Sequence, residues 1–256
     1  MSDENNQSEI TGKKIFFLYP TKSLQDQVIA ELIQQEYEVY LAKDHVQLSY
    51  ALKKYPDSVV FVNVDDRISK PDWEKWINGL LTALPTIKIG VFSSISGEEL
   101  KAEHFSMVQI ACGYIPLKLD MSHTVDKIVK ILEAINVKGR RKYLRANTET
   151  ETTATLNMPG GSGFINASIK DISVVGVSCA FDNDPEFKKN SLNKDIQIKL
   201  QSMLVKVDAI VFGFRENLGQ KIYVLLFTQR IAPDVKVKIR KYIQQNLQSK
   251  MDKEIH

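Results

Sequence analysis

The hydrophobic pattern of the chain changes near residue 137, and this change most constrains the fold. Before it, short apolar runs alternate with amphipathic helical patterns, beginning with the run Ile15–Tyr19. Five such strand–helix units predict a parallel sheet with helices on both faces. After it, strand patterns follow one another with short turns between them, which predicts an antiparallel β-barrel. The sequence therefore predicts two domains of different class.

The domain boundaries are expected where these patterns change. Residues 1–12 are polar and are expected to form a disordered tail. Residues 13–136 are assigned to the α/β domain, and residues 137–250 to the barrel and a closing helix. That helix is predicted over 234–248, where apolar residues recur at helical spacing behind Pro233. With 256 residues, 43% of them hydrophobic, the chain is long enough for two ordinary cores.

Composition and terminal sequence exclude several classes of protein. The first twelve residues lack the basic and apolar segments of a secretory signal, and no run approaches eighteen apolar residues. Cys112 and Cys179 lie far apart in apolar surroundings and are expected to be buried free thiols. These features predict a cytoplasmic protein without membrane insertion. A net charge of +3 is small, so nucleic acid is not expected as a partner.

No arrangement of residues predicts catalysis. The four histidines lack metal-ligand spacing, and no Ser-His-Asp or Cys-His set can be assembled. The glycine-rich stretch 159–163 lacks the Gly-Lys-Ser/Thr ending of a phosphate loop and is interpreted as a hairpin turn. We therefore predict no enzyme, no metal and no cofactor.

Arginine is unusually concentrated after the pattern change. Three of the seven arginines, Arg140, Arg141 and Arg145, fall within six residues. A guanidinium is planar, binds a phosphate or a base edge through two parallel hydrogen bonds, and stacks on aromatic rings. The cluster therefore predicts shaped recognition of a ligand.

A second polar pattern follows in a predicted strand and turn. Asp171 and Ser173 share one face if the segment is extended, because strand side chains alternate. Gly176 permits either a backbone conformation or a close approach of the backbone that other residues resist. A carboxylate can accept the N–H groups of a guanine edge, and a hydroxyl beside it can donate or accept. A basic linker followed by an ordinary strand and turn is the plainer alternative.

The two patterns together, R-x-x-x-R at Arg141 and Arg145 and D-x-S-x-x-G from Asp171, resemble the signature of the PilZ domain family. Those domains are bacterial receptors for cyclic di-GMP. The resemblance implies a small antiparallel barrel with the arginines on the loop entering its first strand. It implies that the arginines bind phosphates and guanine, while Asp171 and Ser173 contact a guanine edge. The predicted ligand set is Arg140, Arg141, Arg145, Asp171, Ser173 and Gly176.

The first domain resembles, in topology, the flavodoxin-like receiver domain of response regulators. Several positions depart from that family. Tyr19 and Pro20 stand where the family has an acidic pair for Mg²⁺, and Asn63 stands where it has the phosphoaccepting aspartate. Ser93 matches the family's hydroxyl, and Lys118 lies one place beyond its lysine. The resemblance therefore implies a pseudo-receiver that keeps the fold and has lost phosphorylation.

Asp65 and Asp66, in the loop beyond Asn63, could substitute for the missing aspartate. A solvated loop is the simpler interpretation of these two residues. A DNA-binding regulator controlled by phosphorylation is disfavoured, because Asn63 cannot form an acyl phosphate and the second half of the chain has strands instead of a helix-turn-helix.

Two functions are carried forward. In the first, the chain is a cytoplasmic cyclic di-GMP effector that couples binding at the domain joint to domain arrangement or to a protein partner of the receiver-like domain. In the second, it is a protein-interaction scaffold whose PilZ-like barrel binds no nucleotide.

Overall fold

The computed structural model describes residues 12–106, 108–117, 120–149, 153–160 and 163–255. The chain divides into two compact units. The first comprises residues up to Lys142 together with the chain end from Leu247, and the second comprises Tyr143–Asn246. The boundaries expected from sequence stay predictions. The expected tail lies outside the described residues, except for Gly12.

The first unit contains a five-stranded parallel sheet, as the alternating pattern predicts. Its order is β2-β1-β3-β4-β5. The strands are β1 (Ile15–Leu18), β2 (Val39–Ala42), β3 (Val59–Asn63), β4 (Lys88–Ser93) and β5 (Tyr114–Pro116). Every residue of β1 and β3 is buried, because helices cover both faces. The order reverses between β1 and β3, and in such sheets ligands bind outside the carboxyl ends of the strands at this point.

Helices follow the strands of this sheet. They are α1 (π-helical Leu24–Ile29, then Ala30–Gln34), α2 (His45–Lys54), α3 (Lys70–Ala83), α4 (Gly97–Glu103) and α5 (Met121–Ala134). Side chains cap three of them: Asp44 accepts from the Gln47 amide at 2.8 Å, and Ser69 and Ser96 cap α3 and α4. The sheet separates two apolar cores, with Phe16 and Val60 on one face and Phe17 and Phe61 on the other.

The second unit is an antiparallel β-barrel, which confirms the predicted fold class. Its strands are β6 (Ala146–Asn147), β7 (Ala154–Gly160), β8 (Gly163–Ser173), β9 (Gly176–Phe181), β10 (Leu192–Leu200), β11 (Met203–Asn217) and β12 (Gln220–Phe227). The sheet order β6-β8-β7-β10-β11-β12-β9 is closed by pairing of β8 with β9. Six strands therefore form a ring, and β6 lies beside the end of β8.

Two local predictions differ from the structure. Division of the sequence into strands over 196–204 and 205–214 predicts a turn at Leu204–Val205, but the turn between β10 and β11 lies at Gln201–Ser202, where Gln201 has a φ of +56°. Apolar and polar residues alternate over 196–200, and the polar pair Gln201-Ser202 interrupts that alternation, so the sequence does mark the turn. Strand β6 was not predicted, because two residues are too few for a pattern. The glycine-rich stretch is flanked by the antiparallel strands β7 and β8, which pair as far as Gly160 and Gly163, as a hairpin requires.

The closing helix, α6 (Pro233–Ile255), is longer than the predicted 234–248. Its first part belongs to the second unit, where Ile239, Tyr242 and Ile243 are buried. Among the described residues, no helix is both long enough and apolar enough to cross a bilayer.

The last turns of α6 belong to the first unit and contact its edge strand, β2. Met251 is buried in one of the two cores of that unit. The Gln248 side chain accepts from the Leu41 amide at 2.8 Å and donates to the Leu41 carbonyl at 3.0 Å. Glu254 accepts hydrogen bonds from Lys54 and Tyr55 at 2.7 and 2.6 Å. Burial alone would raise the pKa of Glu254. The two hydrogen bonds outweigh that effect, so the pKa is lowered.

Candidate functional site

The two predicted motifs meet at the pairing of β6 with the end of β8. Asn147 lies opposite Asp171 in that pairing, so Arg145, just before β6, is brought to Asp171. The distance from Arg145 Nη1 to Asp171 Oδ1 is 3.5 Å, although 26 residues separate them in sequence. The Arg145 side chain is 53% exposed, and that of Asp171 is 26% exposed. The pair is long and open to solvent, so both groups keep capacity for a ligand.

The second carboxylate oxygen of Asp171 accepts a hydrogen bond from Ser178, which lies opposite it on β9. A bulge between Ile169 and Asp171 shifts the register of β8 against β9 just before this pair. The sequence analysis missed Ser178. Its signal was available, because a serine two residues beyond Gly176 lies across the hairpin from Asp171.

Ser173 and Gly176 shape the turn of that hairpin. The Ser173 hydroxyl donates to the Gly176 carbonyl at 3.3 Å, and the Val175 amide donates to Ser173 Oγ at 3.4 Å. Ser173 is 5% exposed, so in this structure its hydroxyl serves the turn. A Cβ on Gly176 would lie 2.5 Å from the Leu225 carbonyl oxygen of β12, which explains why glycine is needed there. Contact of Ser173 with a guanine stays a prediction.

Arg140 and Arg141 are exposed. They lie just before Lys142, where the N-terminal segment of the first unit ends. Arg145 and the second motif belong to the second unit. The structure thus brings together Arg145, Asp171, Ser173 and Gly176 within one barrel, and the participation of Arg140 and Arg141 stays a prediction.

At the two positions after β1 where receivers have their acidic pair, the first unit has no carboxylate. Tyr19, directly after β1, has a φ of +52°, and its hydroxyl hydrogen-bonds to His45 Nδ1 at 3.0 Å. Asn63 is the last residue of β3 and donates to the Tyr19 carbonyl at 3.0 Å. Neither Tyr19 nor Pro20 supplies the carboxylate oxygens that Mg²⁺ prefers, so these residues do not fit that ion. Lys118 lies outside the described residues.

Asp65 lies in an exposed loop, as the sequence predicts, but the hydrogen bonding of its side chain was not foreseen. Its carboxylate accepts hydrogen bonds from Ser93 Oγ at 2.8 Å, from the Ser94 amide at 2.5 Å and from Lys70 Nζ at 3.1 Å. Asp66 lies in the same exposed loop, with a side chain 49% exposed. Sequence reasoning missed this cluster because its members come from three separate segments.

Comparison with known proteins gives matches among solved structures. No family model matches the chain, and no curated protein sequence matches it. The PilZ domain of YcgR from Escherichia coli, solved with c-di-GMP, is 13% identical over 45% of this chain and 96% of that chain, with a TM-score of 0.39. MrkH from K. pneumonia, solved in complex with c-di-GMP, is 20% identical over 46% of this chain and 57% of that chain, with a TM-score of 0.40.

A response regulator from Thermotoga maritima is 17% identical over 48% of this chain and 98% of that chain, with a TM-score of 0.39. Each family named from the sequence has a match. The chain spans 51% of the complete YcgR and 57% of MrkH. With TM-scores below 0.5, these similarities carry no functional argument, which has to come from the residues of the site.

Proposed function

We propose that this chain is a cytoplasmic cyclic di-GMP receptor with no catalytic activity of its own. The observation that carries the proposal is the adjacency of Arg145 and Asp171, 3.5 Å apart, since it joins the two halves of the predicted motif. Cyclic di-GMP has two phosphates and two guanines. It therefore needs cations, planar stacking partners and acceptors for guanine N–H groups.

Each group has a distinct role in this proposal. Arg145 is half exposed, and its ion pair is long, so a ligand phosphate or guanine can take up its remaining donors. Asp171 accepts the N–H groups of a guanine edge, while Ser178 holds its other oxygen in place. The Ser173–Gly176 turn fixes the end of β8 that carries Asp171. Arg141 supplies the second cation of the motif, and Arg140 adds a further one.

The effect of binding is proposed from chain position. Arg140 and Arg141 lie in the sequence that joins the two units, so ordering of that segment by a ligand would change domain arrangement or a partner surface on the receiver-like unit. YcgR and MrkH were solved with the same ligand, which agrees with the proposal but does not carry it.

Calorimetric titration of cyclic di-GMP into the full chain tests the proposal. Losing one charge-assisted hydrogen bond costs about 1.5–3 kcal/mol, so Arg141→Ala and Arg145→Ala are each expected to weaken binding about 10- to 150-fold. Arg215→Ala is the matched control. Arg215 is an exposed arginine of the same barrel. It lies opposite Ile222 on β12, whereas Gly176 lies opposite Leu226, four residues further along that strand.

Three results are informative. Binding that falls in the two motif variants and not in the control supports the receptor. Equal affinity for wild type and both motif variants contradicts the assigned site. Absence of binding by the wild-type chain favours the scaffold that recognises a protein partner without nucleotide.

A further inference from the structure

The Asp65 carboxylate lies in a set of hydrogen-bond donors supplied by other segments of the first unit. One oxygen accepts from the Ser93 hydroxyl and the Lys70 ammonium, at 2.8 and 3.1 Å. The other accepts from the Ser94 backbone amide at 2.5 Å. A hydroxyl, an amide and an ammonium group around two oxygens are the donors that proteins use to hold a small oxyanion.

The position of these donors in the fold also suits an anion. Ser93 ends β4 and is 3% exposed, and Lys70 is the first residue of α3. They therefore lie at the carboxyl ends of the parallel strands, where open α/β sheets bind their ligands. The neighbouring residue, Asp66, shows that proximity in sequence is not enough, because its carboxylate faces Arg67 at 3.6 Å and both side chains are about half exposed or more.

Asn63 positions Asp65. Its amide nitrogen donates to the Tyr19 carbonyl at 3.0 Å, and its amide oxygen accepts from the Asp65 backbone amide at 3.2 Å. An ionised aspartate at position 63 could accept from the Asp65 amide, but it could not donate to Tyr19. The asparagine is therefore suited to a loop whose anion comes from residue 65.

We propose that Asp65 is an internal anion that permanently occupies an oxyanion site of the receiver-like unit. The site is formed by Ser93, Ser94 and Lys70, and its ligand class is a small oxyanion such as a carboxylate or inorganic phosphate. Because the chain supplies this anion itself, the unit keeps one arrangement of the loop after β3 without phosphorylation. The inference is independent of the ligand proposed for the barrel.

Removal of the carboxylate from the full chain tests the proposal, with inorganic phosphate as the probe. Asp65→Ala vacates the site and is expected to bind phosphate at least tenfold more tightly than wild type in a calorimetric or thermal-shift titration. Asp65→Asn is the matched control, because its amide fills the same space without vacating the site. Ser93→Ala added to Asp65→Ala is expected to reverse the gain.

A second variant covers the case in which Asp65→Ala fails to fold. If Asp65→Ala does not fold, Asp65→Ser replaces it, and recovery of its native fluorescence by phosphate has the same meaning as binding. Equal phosphate affinity in wild type and the vacated variant overturns the proposal. So does transfer of a phosphoryl group to Asp65 when the wild-type chain is incubated with Mg²⁺ and acetyl phosphate, because an aspartate that accepts phosphate is not a permanent internal anion.

Discussion

Two aspartates in different units show opposite uses of the same side chain. Asp65 has three donors at 2.5 to 3.1 Å, and these satisfy both of its oxygens within the fold. Asp171 has one serine partner and an arginine 3.5 Å away that is half exposed. A carboxylate whose partners are short and internal contributes to the fold. One whose cation remains open to solvent can contribute to recognition.

The sharpest test of this difference is Asp171→Asn. The amide keeps the size of the carboxylate but loses its charge and one acceptor, so cyclic di-GMP affinity is expected to fall about 10- to 150-fold. Stability should change by less than about 1 kcal/mol, because an exposed ion pair contributes little. Calorimetry and denaturant unfolding measure the two effects. Asp195→Asn, which breaks an exposed pair with Lys206 on the same barrel, is the control.

Gly176→Ala tests whether the turn beside Asp171 depends on close backbone approach. The added Cβ would lie 2.5 Å from the Leu225 carbonyl oxygen, so overpacking is expected to lower the free energy of unfolding by about 1–3 kcal/mol. Denaturant unfolding followed by circular dichroism measures the loss. Gly213→Ala is the matched control, since a Cβ there meets no atom within 4 Å. Equal stability of the two variants would mean that the turn tolerates a side chain.

Asp65→Asn is expected to destabilise the first unit by about 1 kcal/mol at neutral pH and to leave cyclic di-GMP affinity unchanged. Burial would raise the pKa of Asp65, but hydrogen bonds from Ser94, Ser93 and Lys70 outweigh it and lower the pKa from 3.8. The stability that the carboxylate contributes is therefore present above pH 3.8 and is lost as the pH falls through the lower folded value.

The difference between wild type and Asp65→Asn should accordingly shrink below pH 3.8. Both tryptophans of the chain lie in α3, so their fluorescence follows unfolding of the first unit alone. Asp66→Asn is the control and should behave as wild type. If the stability difference between wild type and Asp65→Asn persisted unchanged at acidic pH, the loss of charge would not be its cause, and the amide would instead perturb packing.

The smallest expected effects concern the two thiols, which report on the units separately. Cys112 and Cys179 are free and buried, as predicted, and burial raises their pKa values to about 11 and about 12. Alkylation therefore requires opening of the unit that holds each thiol. Asp65→Asn should speed labelling of Cys112 by roughly fivefold, and Gly176→Ala should speed labelling of Cys179. Acceleration of the other thiol would show that the two units open together.

Periodicity and turn chemistry predicted the sheet, the barrel and the closing helix. Glycine at position 176 left two roles open, an unusual backbone conformation or a close approach, and the contact with Leu225 selects the second. The hydrogen bonds of Asp65 were not foreseen, because its partners lie in other segments of the chain. Ser178 was missed although counting outward from the Ser173–Gly176 pair places it opposite Asp171. The two-residue strand β6 brings Arg145 beside Asp171, and so short a strand leaves no periodic pattern in the sequence.

The contact between Gln248 and Leu41 has a consequence for self-association. Ile15 donates to the carbonyl of Glu38, just before β2, and Tyr19 donates to that of Ala42, so the Leu41 peptide groups between them point away from β1. Unpaired groups on a border strand can template pairing with another polypeptide, and here one amide side chain satisfies both of them. The last turns of α6 thus protect this border strand from intermolecular β-pairing, and cleavage before Gln248 is expected to expose it.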